Sequence, residues 1–200
     1  MANNLKRKKD KKESILKAAA DVFMKEGYKK ASIAKIAKEA KSSQVTLYKY
    51  FPSKIILGRA VVTKLIVDGY KESDDYLNQS NKTFVEKMHE MMNFGVSMSA
   101  SISDDFVMFM YDEMSGRNGD NTVMKVYNDN KHDFWAKLLN QGRAEGAVDP
   151  SISDEGALLY LDMFIVHTMD SGFQKLHSPV EIKNHEDDLM HLFFYGIMGH

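Results

Sequence analysis

Gln44, Thr46, Tyr48, Lys49 and Tyr50 crowd a stretch of seven residues with hydrogen-bonding and aromatic groups. A Gln amide pairs bidentately with adenine or binds a phosphate, a Thr methyl meets the C5-methyl of thymine, and Lys neutralises phosphate. A short helix with that much polar and aromatic surface is poorly explained as core and well explained as a recognition helix in a DNA major groove. Tyr48 and Tyr50 have packing as the alternative, but groove-facing aromatics are otherwise left in solvent. Leu47 and Phe51, by contrast, read as core pins that orient the helix.

A helix that enters a groove needs a second helix to brace it. Ile33, Ile36, Ala37 and Ala40 recur at helical spacing and line one apolar face. Lys41-Ser42-Ser43 interrupts that face, and Ser43 is a good N-cap for the segment that follows. Pro52 breaks the helix and Ser53 opens another. Upstream, Ile15, Ala18, Ala19, Val22 and Phe23 point inward from a first helix over residues 10–26, which Gly27 stops. Lys6, Arg7, Lys8, Lys9, Lys11 and Lys12 form an arm ahead of that helix, positioned for the minor groove or for neighbouring phosphates.

Residues 13–57 resemble the DNA-binding head of the TetR (tetracycline-repressor-like) family of bacterial transcription regulators. Ile15-Leu16-Lys17-Ala18-Ala19, Val22-Phe23, Glu26-Gly27-Tyr28 and Ser32-Ile33 follow the family's first helix and the start of its second. Thr46 to Lys54, TLYKYFPSK, is the most specific block. The resemblance implies that Lys9, Ser32, Ser43, Gln44, Thr46, Tyr48 and Lys49 contact DNA, with Tyr50 and Lys54 on phosphate. Four departures from the pattern stand out. Lys41 stands where Gly is usual, and so is expected at positive φ. Val45 replaces a small residue, Ala31 a Thr, and Ile55-Ile56 acidic residues.

Charge supports the same division. Residues 1–60 hold 16 of the 27 Lys and Arg and 5 of the 28 Asp and Glu, whereas the remainder holds 11 and 23. A basic first third on an acidic body is the electrostatic footprint of a DNA-binding head. The chain has no cysteine, which excludes disulfides and thiolate metal sites. No apolar run reaches membrane-spanning length, and nothing apolar follows the basic N-terminus as in a signal peptide, so a cytoplasmic protein without membrane contact is expected.

Beyond the head the pattern is helical throughout. Expected helices run from Ser53 to about residue 70, 83–100, 104–115, 122–145, 153–173 and 178–198. The polar stretch KESDDYLNQSNK is expected to be a bend or loop, and SGRNGDN at 115–121 a loop. The architecture expected is all-α with about nine helices: a three-helix, homeodomain-like helix-turn-helix head at 1–53 on a helical ligand-binding and dimerisation bundle at 54–200.

Twelve of the 14 methionines follow residue 60, and Met adapts to varied ligand shapes. Ordinary core packing satisfies any single one of them; the family resemblance implies a pocket for a small hydrophobic or amphipathic effector. Its expected lining is Met91, Met92, Phe94 and Met98, then Phe109 and Met110, with Trp135, Met163 and His167 from later helices. The last two helices resemble the family's four-helix dimer interface, with Leu158, Leu161 and Ile165 on one and Leu189, Leu192, Phe193, Gly196 and Ile197 on the other. A monomer core is the alternative there; a two-fold dimer is favoured because one short helix makes too few base contacts for useful specificity. No catalytic constellation, cofactor motif or standard metal spacing stands out.

The expected protein is thus a homodimeric regulator that binds a palindromic operator in double-stranded DNA, most plainly a repressor that an effector releases. An architectural or cell-cycle DNA-binding protein on the same fold, with no effector, is the alternative. An activator or an enzyme using the body pocket are weaker rivals.

Overall fold

The computed structural model describes residues 2–79, 81–90 and 102–169, together with 184, 185, 188, 189, 191, 192 and 195; at 2, 79, 161 and 164–169 it describes backbone only. All regular structure among these residues is helical: α1 (Ala2–Glu26), α2 (Ile33–Glu39), α3 (Gln44–Tyr50), α4 (Lys54–Gln79), α5 (84–90), α6 (Asp104–Met114), α7 (Thr122–Ala144) and α8 (Asp154–Met169). The expected all-α architecture with an N-terminal helix-turn-helix is present.

Two boundaries differ from expectation. The basic arm is not a separate segment: it forms the first three turns of α1, which starts at Ala2 rather than Asp10. No Gly or Pro interrupts residues 2–26, and Lys and Arg are good helix formers. Likewise α4 does not stop near residue 70 but continues to Gln79, through the stretch expected to bend. That polar stretch also lacks Gly and Pro. Tertiary contacts hold it helical: Leu77 is buried, Tyr70 tilts against Phe134, and Asp74 pairs with Lys137 at 2.9 Å.

The remaining turns follow local chemistry. Gly27 takes φ 86 at the end of α1, where a side chain would be strained, and its N–H bonds Phe23 at 2.9 Å. After α2, Lys41 adopts φ 47 as expected. Its N–H donates to the Lys38 carbonyl at 3.0 Å and the Ser42 N–H to Ala37 at 2.8 Å, the paired bonds of a Schellman ending. Thr83 and Glu86 make a capping box at the start of α5: Glu86 accepts from the Thr83 N–H at 2.8 Å while Thr83 Oγ1 accepts from the Glu86 N–H at 3.3 Å. Residues 115–121 form the expected loop, with Gly116 and Gly119 at positive φ.

The chain packs as two units. The first joins residues 1–68 to 101–127 and the second joins 69–100 to 128–200, so α4 and α7 each contribute to both. A head of about 50 residues is near the small end of what folds alone, and here it packs together with α6 and the first half of α4. Ile15, Ala19 and Phe23 of α1, Ile36 of α2, Leu47 of α3, Leu57 and Val62 of α4 and Phe106 of α6 are all fully buried. Phe23 meets Phe106 at 5.5 Å between ring centroids. Gly58 is required for close approach, since a Cβ there would sit 2.7 Å from Phe109 and 2.9 Å from Tyr28. The second unit has its own core of Leu77, Phe84, Met88, Phe134, Trp135, Leu138, Leu139, Val148, Ala157 and Leu158.

Candidate nucleic-acid interface

Local capping sets the start of α3. Ser43 is extended (φ −83, ψ 154), and its Oγ accepts from the Thr46 N–H at 3.0 Å and shares a hydrogen bond with Thr46 Oγ1 at 2.9 Å. Ser32 does the same for α2, accepting from the Lys35 N–H at 3.2 Å. Both serines, expected on DNA, hold the two helices of the motif in shape. On the inner side of α3, Leu47 is fully buried and Phe51 nearly so, which matches their expected role as pins. They leave Gln44, Val45, Tyr48 and Lys49 outward. These four form two i,i+4 pairs on one face. A seven-residue helix is about 10 Å long, within the reach of a major groove about 12 Å wide.

Val45 is the functional candidate that sequence reasoning passed over. It is 68% exposed on the same face as Tyr48 and Lys49. An isopropyl group there offers apolar contact to a thymine methyl. The available signal was its spacing, four residues before Lys49 and three before Tyr48.

Lys54 is held differently from its expected place on a phosphate. Its ammonium donates to the Lys29 carbonyl at 3.1 Å and lies 4.8 Å from the centroid of the Tyr28 ring. Burial lowers its pKa from the ordinary lysine value, and the charge of Asp105 partly offsets that shift. Tyr28 stacks on Phe109 of α6 with centroids 3.8 Å apart. Asp105, also on α6, accepts from the Lys29 N–H at 2.7 Å. The turn between α1 and α2 is therefore clasped by α4 and α6 together. Tyr50 is half-buried, and Lys9 is exposed on the helical extension.

The cations around α3 are mostly free of carboxylates. Lys6, Arg7, Lys8, Lys9, Lys30, Lys38, Lys41 and Lys49 are exposed and form no ion pair among the described residues. Lys29 and Lys35 are exceptions, paired with Asp105 and Glu26, and the hydrogen bond to Glu26 raises the pKa of Lys35. An outward polar helix flanked by unpaired cations is suited to base edges in a groove and phosphates on either side.

The other expected sites fall out less simply. Phe109, expected at an effector pocket, is packed against Tyr28 in the first unit, and Met110 beside it in the chain is half-buried. Trp135 belongs to the second unit's core, edge-on to Phe134 at 5.8 Å. Met163 is 63% exposed. Met91, Met92, Phe94, Met98 and the His167 side chain lie outside the described residues. The first unit carries an open groove of about 620 Å³ between α1 and α4, lined by Asp10, Glu13, Lys17, Leu65 and Asp68 among others and by none of the nine residues expected at an effector.

For the expected dimer surface, Leu158 packs inward in the second unit's core instead. The outward apolar residues of α8 are its neighbour Leu159, with Tyr160 and Met163. A shift of one residue turns a helix by about 100°, enough to exchange the buried and open faces. Leu192 is exposed and Leu189 half-buried; Phe193, Gly196, Ile197 and the Leu161 and Ile165 side chains lie outside the described residues. No helix among the described residues is long and apolar enough to cross a membrane.

Comparison with known proteins agrees with this geometry. Residues 15–60 match the bacterial regulatory proteins of the tetR family. The chain is 23% identical over 172 residues to the uncharacterized HTH-type transcriptional regulator YhgD of Bacillus subtilis (strain 168), covering 86% of this chain and 88% of that one. Among solved structures it is similar to the transcriptional regulator FadR of Bacillus subtilis in complex with stearoyl-CoA, with a TM-score of 0.63 and 18% identity over 92% of this chain and 98% of that one. It is similar also to FadR of Thermus thermophilus, a TetR family transcriptional repressor, in complex with lauroyl-CoA, with a TM-score of 0.64 and 20% identity over 94% and 96%. At these identities the structural likeness speaks for the fold.

Proposed function

The chain belongs to the tetR family of bacterial regulatory proteins, and from that premise we propose that it is a homodimeric repressor of a palindromic operator, released by an amphipathic effector. The observation that carries the DNA-binding part is the outward face of α3: Gln44, Val45, Tyr48 and Lys49 open to solvent above the buried Leu47 and Phe51. Gln44 and Val45 read base edges, Tyr48 and Lys49 complete the groove contact, and the surrounding lysines neutralise phosphate. Two copies related by a two-fold axis present two such helices to two half-sites. The open apolar residues Leu159, Met163 and Leu192 support pairing through the C-terminal helices.

Long-chain acyl-CoA thioesters are the first effectors to try. The FadR structures of similar fold hold stearoyl-CoA and lauroyl-CoA, and a Met-rich body suits an acyl chain. By the family's mechanism the effector shifts α4 and with it the spacing of the two heads, so affinity for a fixed palindrome falls. A second reading, an architectural DNA-binding protein without effector, draws on one observation: the described core of the second unit is filled by Phe84, Phe134, Trp135, Leu138 and Leu139.

Selection of bound DNA from a random duplex pool tests the first reading. A palindrome with half-sites about one helical turn apart, released by micromolar acyl-CoA, is the expected result. Motif-free, salt-sensitive binding sinks the repressor reading; a palindrome that no acyl-CoA releases removes the acyl-CoA part alone.

A further inference from the structure

Partway along its length α4 changes partners. Up to Ile66 it belongs to the first unit: Leu57, Val61 and Val62 are buried, Arg59 pairs with Glu113 of α6, and Lys64 pairs with Glu13 of α1 at 3.2 Å. From Tyr70 onward its partners lie in the second half of α7. Tyr70 tilts against Phe134 with centroids 5.6 Å apart, and Asp74 pairs with Lys137. Between Ile66 and Leu77 no residue of α4 is buried. The same changeover occurs in α7. Val123 is fully buried in the first unit, Lys131 is buried in the second and paired with Asp162 of α8, and no residue between the two is buried. The units divide at these levels, after Asp68 in α4 and after Tyr127 in α7.

Both crossings carry weak helix formers. Gly69 stands at the crossing in α4, and in a helix interior only Pro is worse than Gly. Packing does not require it, since a Cβ there would meet nothing within 4 Å. In α7 the crossing is Asn128-Asp129-Asn130, three residues of low helix propensity, and the first two are exposed. Few buried contacts and weak local preference mark the turns that open most easily. Sliding α4 as a whole against the head would instead break close packing at Leu57, at Val62 and where Phe109 meets Gly58. Resting on the reading of this chain as an effector-controlled regulator, we propose that Gly69 in α4 and Asn128-Asp129 in α7 form a paired hinge, about which the first unit, recognition helix included, turns as one body. A few residues suffice to absorb such a change in φ and ψ. The head keeps its internal contacts, and operator affinity changes through the spacing of the two α3 helices in the dimer.

The test uses the full chain, Gly69→Ala, Asn128→Ala and, as a control, Asn78→Ala, which strengthens α4 away from the hinge. Hydrogen exchange read by mass spectrometry follows α4 and α7 without DNA or effector. In the parent, residues 67–73 and 126–131 are expected to exchange faster than the helix on either side. Gly69→Ala should slow 67–73 by about fivefold, Asn128→Ala should slow 126–131, and Asn78→Ala should leave both unchanged. Binding is then measured to the selected operator and to versions with a base pair inserted or removed between the half-sites. A hinge lets the two heads adjust. Gly69→Ala should therefore keep its affinity for the native spacing and lose up to about fivefold more than the parent on the altered ones. An exchange profile that is even along α4, or that Gly69→Ala does not change, overturns the hinge. Spacing tolerance equal in parent and Gly69→Ala also overturns it. If the parent selects no palindrome, the regulator reading fails, and the exchange profile by itself still decides the hinge.

Discussion

Arg59 on α4 donates its Nε to Glu113 on α6 at 2.7 Å, and the Glu113 side chain is fully buried. The other guanidinium nitrogens reach Asp120 at 3.0 Å and the Asn118 carbonyl at 3.4 Å. Asn118 returns a bond to the second Glu113 oxygen at 2.8 Å. One arginine thus ties the first half of α4 to the end of α6 and to the loop that leads into α7. Both oxygens of the buried carboxylate are satisfied, the condition under which such a charge is tolerated.

Removing one partner should therefore cost more than removing both. Arg59→Met is expected to lower stability by about 3 kcal/mol, because it leaves Glu113 buried without its cation. Arg59→Met/Glu113→Leu should recover more than half of that. Urea unfolding of the three proteins checks this, and a loss below about 1 kcal/mol for the single variant would contradict a buried ion pair.

Acid should loosen the same junction through Asp120. A hydrogen bond from the Thr122 backbone, with smaller help from the Thr122 side chain and the Arg59 charge, lowers its pKa from the ordinary aspartate value. The folded pKa then lies below the unfolded one of about 3.9. The stabilisation is present above that unfolded value and is lost as pH falls through the lower folded pKa. Asp120→Asn should flatten the acid limb of a stability profile below about pH 4. An acid limb identical to that of the parent would place the lost stability elsewhere.

Lys41 holds a left-handed backbone at φ 47 where glycine carries no Cβ strain. Lys41→Gly is expected to raise stability by about 1 kcal/mol, or roughly 2–4 °C in Tm for a chain of this size. The Lys11 bond is to the Lys41 backbone carbonyl and survives the change. Thermal unfolding followed by circular dichroism decides; a lower Tm would mean that the lysine side chain stabilises the turn more than its backbone strains it.

Tyr48 and Lys54 should separate binding from folding. Tyr48→Ala, at a side chain 44% exposed, is expected to leave stability within about 0.5 kcal/mol and to weaken operator binding about tenfold or more. Lys54→Met removes the bond to Lys29 and the contact with Tyr28, so both Tm and operator affinity should fall. Fluorescence anisotropy and calorimetry on both variants test the distinction. An unchanged Tm for Lys54→Met would show that the ammonium is free for phosphate after all.

What could be read from the sequence alone was what neighbouring residues decide among themselves. The inward faces of Ile15, Ala19 and Phe23, the Ser43 cap, the strained Lys41 turn and the Leu47 and Phe51 pins follow from helical period, side-chain size and hydrogen bonds a few residues long. These interactions span about a turn of helix, so the order of residues contains them. Tertiary structure decided the rest. The pairing of Arg59 with Glu113 joins residues 54 apart, the lysine expected on phosphate is turned toward Tyr28, and α4 is carried on to Gln79 by a core it meets only after folding. Whether Leu158 or Leu159 faces outward is likewise open in an α8 apolar on many sides, until the packing of Leu138 and Trp135 selects one face. Periodicity states that a helix has an apolar face, but only the partner packed against it determines which residues of a broad apolar band are covered.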